Sequence, residues 1–210
     1  MSVSGSSSLW ALENPLILAS GSAARAQMLM SAGIPITVVK PDVDERALEA
    51  PLRAKGAGGR DIAAALAQAK VLEVSARHPG RHVLGGDQTL EIDGGLLSKP
   101  EGREGARAHL RLLSGRVHQL HAAAALALDG EILLAASDHA SLSMRSFGDA
   151  FIETYLDAAG DAVLGSVGAY QIEGLGIHLF DRIVGQHAVI MGLPLQAVIA
   201  GLRKLCLVPG

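Results

Sequence analysis

The chain holds one cysteine among 210 residues, and aromatic side chains make up only 3% of it. A single thiol, Cys206, excludes an internal disulfide and suits a reducing cytoplasm. Few aromatics, with a net charge of −3, disfavour the basic, base-stacking surface that a nucleic-acid polymer needs. A small anionic ligand is not disfavoured. Long apolar runs are missing as well. The longest, Ala122 to Leu128, falls far short of the roughly 20 residues that span a bilayer. Several catalytic signatures are absent: G-x-x-x-x-G-K-S/T, G-x-G-x-x-G, G-x-S-x-G and H-E-x-x-H. Their absence argues against a P-loop, a Rossmann dinucleotide site, a hydrolase elbow and a zincin. The eight histidines show no ligand spacing; His118 and His121 lie three apart in a predicted strand and therefore point to opposite faces.

What is present is a mixed α/β pattern with 49% hydrophobic residues, enough for a core without staples. The start, MSVSGSSSLWALENP, is serine-rich without a basic or apolar segment, so residues 1–14 read as a disordered tail and 15–210 as one domain. Leu16 to Ala19 is a short buried strand bounded by Ser20, Gly21 and Ser22. Ser22 then caps a helix that Gly33 stops. Ile34 to Val39 reads as a second strand, delivering the acidic stretch from Asp42 to Glu45. After a Gly-rich basic segment, Arg53 to Arg60, Asp61 caps a long helix to about Ala76. His82 to Gly86 reads as a short strand into Asp87, with Leu90 to Leu97 turning back around Asp93-Gly94-Gly95. Pro100 opens a helix to Leu113. Two long strands, Val117 to Leu128 and Glu131 to Met144, meet at Asp129-Gly130, a pair suited to a turn needing positive φ. Asp149 caps a helix to Ala159, strands are expected over Ser166 to Ile172 and Ile177 to Ile183, and a last helix runs from Pro194 to about Leu205. The hairpins outnumber those of a doubly wound sheet.

Polar residues that interrupt this pattern are Ser20, Ser22, Arg25, Asp42, Asp44, Glu45, Lys70, Asp87 and Lys99. Most fall where a strand or turn ends, the usual ligand edge of α/β sheets. Carboxylates supply hard oxygen ligands for Mg²⁺ or Mn²⁺, and Lys and Arg neutralise phosphate oxygens. Taken singly, each has a plainer reading: Ser22 as a cap, the acids as a solvated turn, Lys70 reaching water. Asp87 resists that reading, because a carboxylate straight after Val83-Leu84-Gly85-Gly86 is costly unless partnered. It ranks first.

The segments LILASGSAAR, PDVDE, LAQAK, GGDQT, LSKP, LRLLSGRVH, GAYQIEGLGI and MGLPL, in that order, resemble the Maf family of nucleoside triphosphate pyrophosphatases from about Leu16 to Leu205. The resemblance implies a single-domain Maf/ITPase-like fold, a mixed twisted sheet flanked by helices with long hairpins. It also implies a cytoplasmic homodimer that cleaves the α–β phosphate bond of a nucleoside triphosphate with a divalent metal, Mg²⁺ or Mn²⁺. Carried over by position, Asp87 is the family's catalytic carboxylate. We favour metal ligation by Asp87 and Glu45, with water activated by the metal as nucleophile, because ligation depresses a carboxylate's basicity. Lys70, Lys99 and Arg25 then fall on the phosphates, Ser20 and Ser22 cradle them, and Gln88 and Glu173 contact the base.

The chain departs from the family pattern in three places. Ala23 and Ala24 stand where the opening loop usually carries proline and arginine, Arg46 stands where the acidic turn usually has threonine, and Gly86 stands where alanine or serine is usual. Arg46 is the candidate to compensate for the lost arginine. Gln88 and Glu173 resemble the branch that prefers 7-methyl-GTP, and a carboxylate at 173 accepts from a guanine N1–H and amino group. The alternatives are a pyrimidine-preferring enzyme acting on dTTP or UTP, a phosphatase removing the terminal phosphate, and a non-catalytic nucleotide-binding regulator of cell division.

Overall fold

The computed structural model describes residues 8–210. The first seven residues of the expected tail lie outside them. The rest of that tail is ordered onto the domain. Trp10 is buried, its indole N–H donates to the Asn14 carbonyl, and the Ala11 N–H bonds the Leu207 carbonyl. An apolar indole has more to gain from the core than the flanking serines have from water.

One sheet organises the chain. Strand β1 (Leu16–Ala19) lies between β2 (Ile36–Val38) and β3 (Val83–Ile92), parallel to both. The remaining strands pair antiparallel: β3 with β4 (Gly95–Leu97) and with β5 (Val117–Leu128), β5 with β6 (Glu131–Met144), and β6 with β7 (Phe180–Val184). The order is β2-β1-β3-β5-β6-β7, with β4 on β3 alone. Because β5 takes one edge of β3 over its length, β1 and β4 share the other. Along β3, pairing with β1 ends at Gly85 and pairing with β4 begins at Leu90, so Gly86 to Thr89 face a gap in the sheet.

Helices cover both faces. Helix α1 (Ala23–Ser31) and α7 (Leu195–Lys204) pack with Leu16, Leu18, Leu84 and Leu126 on one side. Helix α3 (Gly59–Arg77) lies on the other, its Val71 and Val74 against Ile17 and Val83. Here the packing is unusually small: Ala63, Ala67 and Ala123 form their own cluster, and a Cβ on Gly85 would stand 3.1 Å from the Ala67 carbonyl oxygen. Helices α4 (Gly102–Leu113) and α5 (Asp149–Ala159) build a second core with Leu90, Leu120, Leu142 and Tyr170.

The predicted order of elements holds through most of the chain, with several corrections. Gly58 and Gly148, not Asp61 and Asp149, are the N-caps of α3 and α5, the two acids lying in the first turns, and the strand expected from Ile177 begins at Phe180 after a 3₁₀ turn over Leu175–Leu179. Helix α2 (Glu45–Ala54) occupies part of what was read as an acidic turn and a loop; Asp44 caps it by accepting the Ala47 N–H, and Pro51 sits inside it. Asp87 does not follow a strand but lies within β3, whose pairing to β5 continues past it to Glu91. Residues 166–172 are not a strand. They form short 3₁₀ turns, since Gly168 and Ala169 take φ of +80° and +60°, which breaks an extended run.

Candidate active site

The gap beside β3 gathers the predicted residues. Alternation along the strand sends Gly85, Asp87 and Thr89 toward α3, and Gly86 and Gln88 toward α1 and α6 (His187–Ile190). On the α3 side, Lys70 Nζ lies 2.5 Å from Asp87 Oδ1 and 2.8 Å from Glu45 Oε1. Lys70 and Asp87 are buried, whereas the Glu45 side chain is half exposed. Asp87 therefore sits in the floor and Glu45 at the mouth. Burial raises the pKa of Asp87 by disfavouring its charged form, while Lys70 and Arg25 pull the other way.

The serine turn lies beside this cluster. Ser22 caps α1 by accepting the Arg25 N–H, and Ser20 Oγ accepts both the Ser22 N–H and Arg25 Nη1, at 3.2 and 3.0 Å. Both hydroxyl oxygens are engaged within the turn. Each hydroxyl keeps its proton to donate, and the leading N–H groups of a helix have no partner of their own. The turn is thus a donor-rich anion site with the Arg25 guanidinium behind it. Burial lowers the pKa of Arg25, and Asp87 and Glu45 oppose that shift.

Other predicted residues fall differently. Gln88 donates through Nε2 to the carbonyls of Val189 and Ile190, both at 2.9 Å, so its amide nitrogen is committed to α6. Lys99 and Glu173 are exposed and make no hydrogen bond or ion pair among the described residues. Arg46 does not replace the missing loop arginine; it is over 90% exposed and its ion pair, at 4.0 Å, is with Glu101. Asp42 and Asp44 belong to backbone structure, the first through its N–H to Glu73 and the second as a cap.

Sequence reasoning missed Gly192 as a site residue. Its carbonyl accepts Arg25 Nε at 2.7 Å. The signal was available in the MGLPL segment, which carries the glycine but no side chain to draw attention to it. A second omission is the buried pair His118 Nε2 and Tyr170 OH, 2.7 Å apart, which fastens the 166–174 loop to β5.

The geometry defines a class: a mixed α/β protein with cations, carboxylates and hydroxyl donors converging at a gap in its sheet. The chain belongs to the Maf family; the Maf-like protein family model matches residues 15–205. It is 52% identical over 196 residues, 93% of this chain and 96% of the relative, to a nucleoside triphosphate pyrophosphatase of Nitrobacter winogradskyi. A protein of the same name from Bradyrhizobium diazoefficiens is 50% identical over 196 residues, with the same coverage. A 7-methyl-GTP pyrophosphatase of Mesorhizobium japonicum is 50% identical over 195 residues, 93% of this chain and 98% of the relative.

Proposed function

We propose that this protein is a nucleoside triphosphate pyrophosphatase, in which water attacks so that the α–β phosphoanhydride breaks to give a nucleoside monophosphate and pyrophosphate. The observation that carries this reading is the convergence of Asp87 and Glu45 on Lys70, next to the Ser20–Arg25 turn. Relatives at about 50% identity bear the names of such enzymes.

The donor set fits a divalent cation delivered with its substrate. Two carboxylates share one point of positive charge, and no group of three or more His, Cys, Asp or Glu that could hold a metal forms among the described residues. Mg²⁺ commonly takes one or two carboxylates and fills its shell with water and phosphate oxygens. Asp87 and Glu45 would hold it, and it would supply charge neutralisation and a more acidic water.

The rest of the chemistry rests on the chain itself. Ionised Asp87 and Glu45 offer acceptor oxygens that orient an attacking water. Lys70 keeps the buried carboxylate charged and adds positive charge where the phosphates arrive. The Ser20 and Ser22 hydroxyls and Arg25 bind the phosphate oxygens and counter the charge that grows on the departing pyrophosphate. Exposed Lys99 closes over the phosphates, and Glu173 reads a guanine-type base. The reading includes a homodimer in the cytoplasm, as the family resemblance implies.

The test is pyrophosphate release, with Mg²⁺ and with Mn²⁺, from 7-methyl-GTP, GTP, dTTP, UTP, CTP and ATP. Selective turnover of 7-methyl-GTP is expected. Pyrimidine turnover would keep the enzyme and reject the base assignment. Orthophosphate and a nucleoside diphosphate would refute α–β cleavage, and binding without turnover across the panel would refute the enzyme.

A further inference from the structure

The charges that meet at Asp87 cancel. Asp87 and Glu45 carry two negative charges, and Lys70 and Arg25 carry two positive ones. Both cations are already engaged, Lys70 by the two carboxylates and Arg25 by the Gly192 carbonyl and Ser20 Oγ. A nucleoside triphosphate brings a string of negative charge to this floor, so the net attraction must come from cations outside it.

Lys40 stands at the rim of the serine turn. It lies two residues beyond Val38 on β2, as Ser20 lies two beyond Leu18 on β1, Leu18 and Val38 being register partners. That level is the C-terminal end of parallel strands, where such sheets take their ligands. The lysine stem rests on the turn, with Cε and Cγ at 3.6 and 3.9 Å from where a Cβ on Gly21 would stand, which is ordinary van der Waals contact. Its backbone is held from α3: Arg77 Nη2 donates to the Lys40 carbonyl at 3.3 Å, and Glu73, ion-paired to Arg77, accepts the Asp42 N–H at 3.1 Å. The side chain is exposed, and its ammonium makes no hydrogen bond or ion pair among the described residues. A fixed backbone thus carries an uncommitted charge beside the phosphate turn.

Position across the sheet indicates which phosphate it meets. β1 separates β2 from β3, the strand of Asp87, and with strands about 4.8 Å apart Lys40 springs from a strand about 10 Å from that of Asp87. With the α–β linkage beside Asp87, the rest of the phosphate chain extends over the serine turn toward β2. We infer that Lys40 binds the terminal phosphate across Gly21 and makes the site select nucleoside triphosphates over diphosphates. The inference rests on the pyrophosphatase reading and deepens it. Selection by phosphate count is then independent of which base is attached.

Lys40→Met keeps the stem and removes the charge. Two readouts test it: turnover of 7-methyl-GTP and UTP with Mg²⁺, and calorimetric titration of each triphosphate and its diphosphate in EDTA, which stops metal-dependent hydrolysis. Lys40→Met is expected to raise KM for both triphosphates about tenfold with a smaller change in kcat, the size of one lost charge-assisted hydrogen bond. Dissociation constants should weaken about tenfold for the triphosphates and less than about twofold for the diphosphates. Lys40→Arg, which keeps a cation, should hold the wild-type preference. Equal weakening of triphosphates and diphosphates, or KM and dissociation constants unmoved in Lys40→Met, would overturn the inference, as would a wild-type protein with no preference for triphosphates. If the wild-type protein releases no pyrophosphate, the functional reading fails while the titrations still decide the role of Lys40: a triphosphate dissociation constant unmoved by Lys40→Met would reject it.

Discussion

Lys70 and Asp87 meet at 2.5 Å inside the protein, and the same ammonium reaches Glu45 at 2.8 Å. The two carboxylates are not equivalent. Asp87 is buried and depends on its partner, whereas Glu45 has water available. Replacing Lys70 by Met leaves a buried carboxylate without its nearest cation, and breaking such pairs costs several kcal/mol. We expect Lys70→Met to lower the unfolding free energy by about 3 kcal/mol in urea titration, and Lys70→Met with Asp87→Asn to recover most of that loss. Glu45→Gln should change stability by under about 1 kcal/mol, since an exposed partner contributes little.

Asp87→Asn separates chemistry from folding. The amide is nearly isosteric and Lys70 keeps Glu45 at 2.8 Å as a counter-charge, so the protein should stay folded, with a smaller loss of stability than in Lys70→Met. Pyrophosphate release should fall by about a thousandfold or more, a loss typical of removing a group that handles the reacting water. Mg²⁺ should raise the wild-type melting temperature by mass action and leave Asp87→Asn unmoved. Near-normal turnover in this variant would remove Asp87 from the site.

His118 gives the fold a signature in acid. Burial lowers its pKa from 6.5 to about 4. A depressed histidine favours the folded state fully above its unfolded pKa, and that advantage is lost as pH falls through the folded one. Stability should decline between about pH 6.5 and pH 4, His118 accounting for up to about 3 kcal/mol. His82, His109 and His121 are lowered too and steepen the slope. The difference between wild type and His118→Gln isolates one residue's share, and equal slopes in the two would contradict the assignment.

Glu173→Gln tests the base assignment where the structure leaves room for it. The side chain is exposed on the turn after the His118–Tyr170 anchor, so the change should leave stability within about 0.5 kcal/mol. The ratio of turnover on 7-methyl-GTP to that on UTP should drop about tenfold, the effect of losing a charged acceptor opposite two donors. An unchanged ratio would take Glu173 out of recognition.

Local signals in the sequence carried far because they act within a few residues. Ser22 caps α1 as its position predicts, Gly33 stops that helix at φ +75°, and Asp129-Gly130 turns β5 into β6 with both residues at positive φ. Asp87, Lys70, Glu45, Arg25, Ser20 and Ser22 were each legible as chemistry. Their assembly was not, because it depends on β1 and β4 sharing one edge of β3, a relation set by pairing across the whole chain. Gln88 shows the limit most clearly. Adjacent to Asp87 in sequence, it points to the opposite face of the strand, and its partners at 189 and 190 are remote in the chain. Helix α2 escaped for another reason: Leu48 and Leu52 do repeat at helical spacing among good helix formers, but Pro51 between them reads as a helix breaker, and the helix buries none of its residues.

The small-residue packing beneath α3 acts as a ruler. With Ala63 and Ala67 on Ala123, and no side chain at Gly85, the helix axis rides low over the sheet, and that height sets where Lys70 comes down on Asp87. A single added methyl between helix and sheet would lift the lysine before it disturbed any charged group. The electrostatics of the site are tuned by volume that is missing, so a catalytic defect in this protein can begin at an alanine.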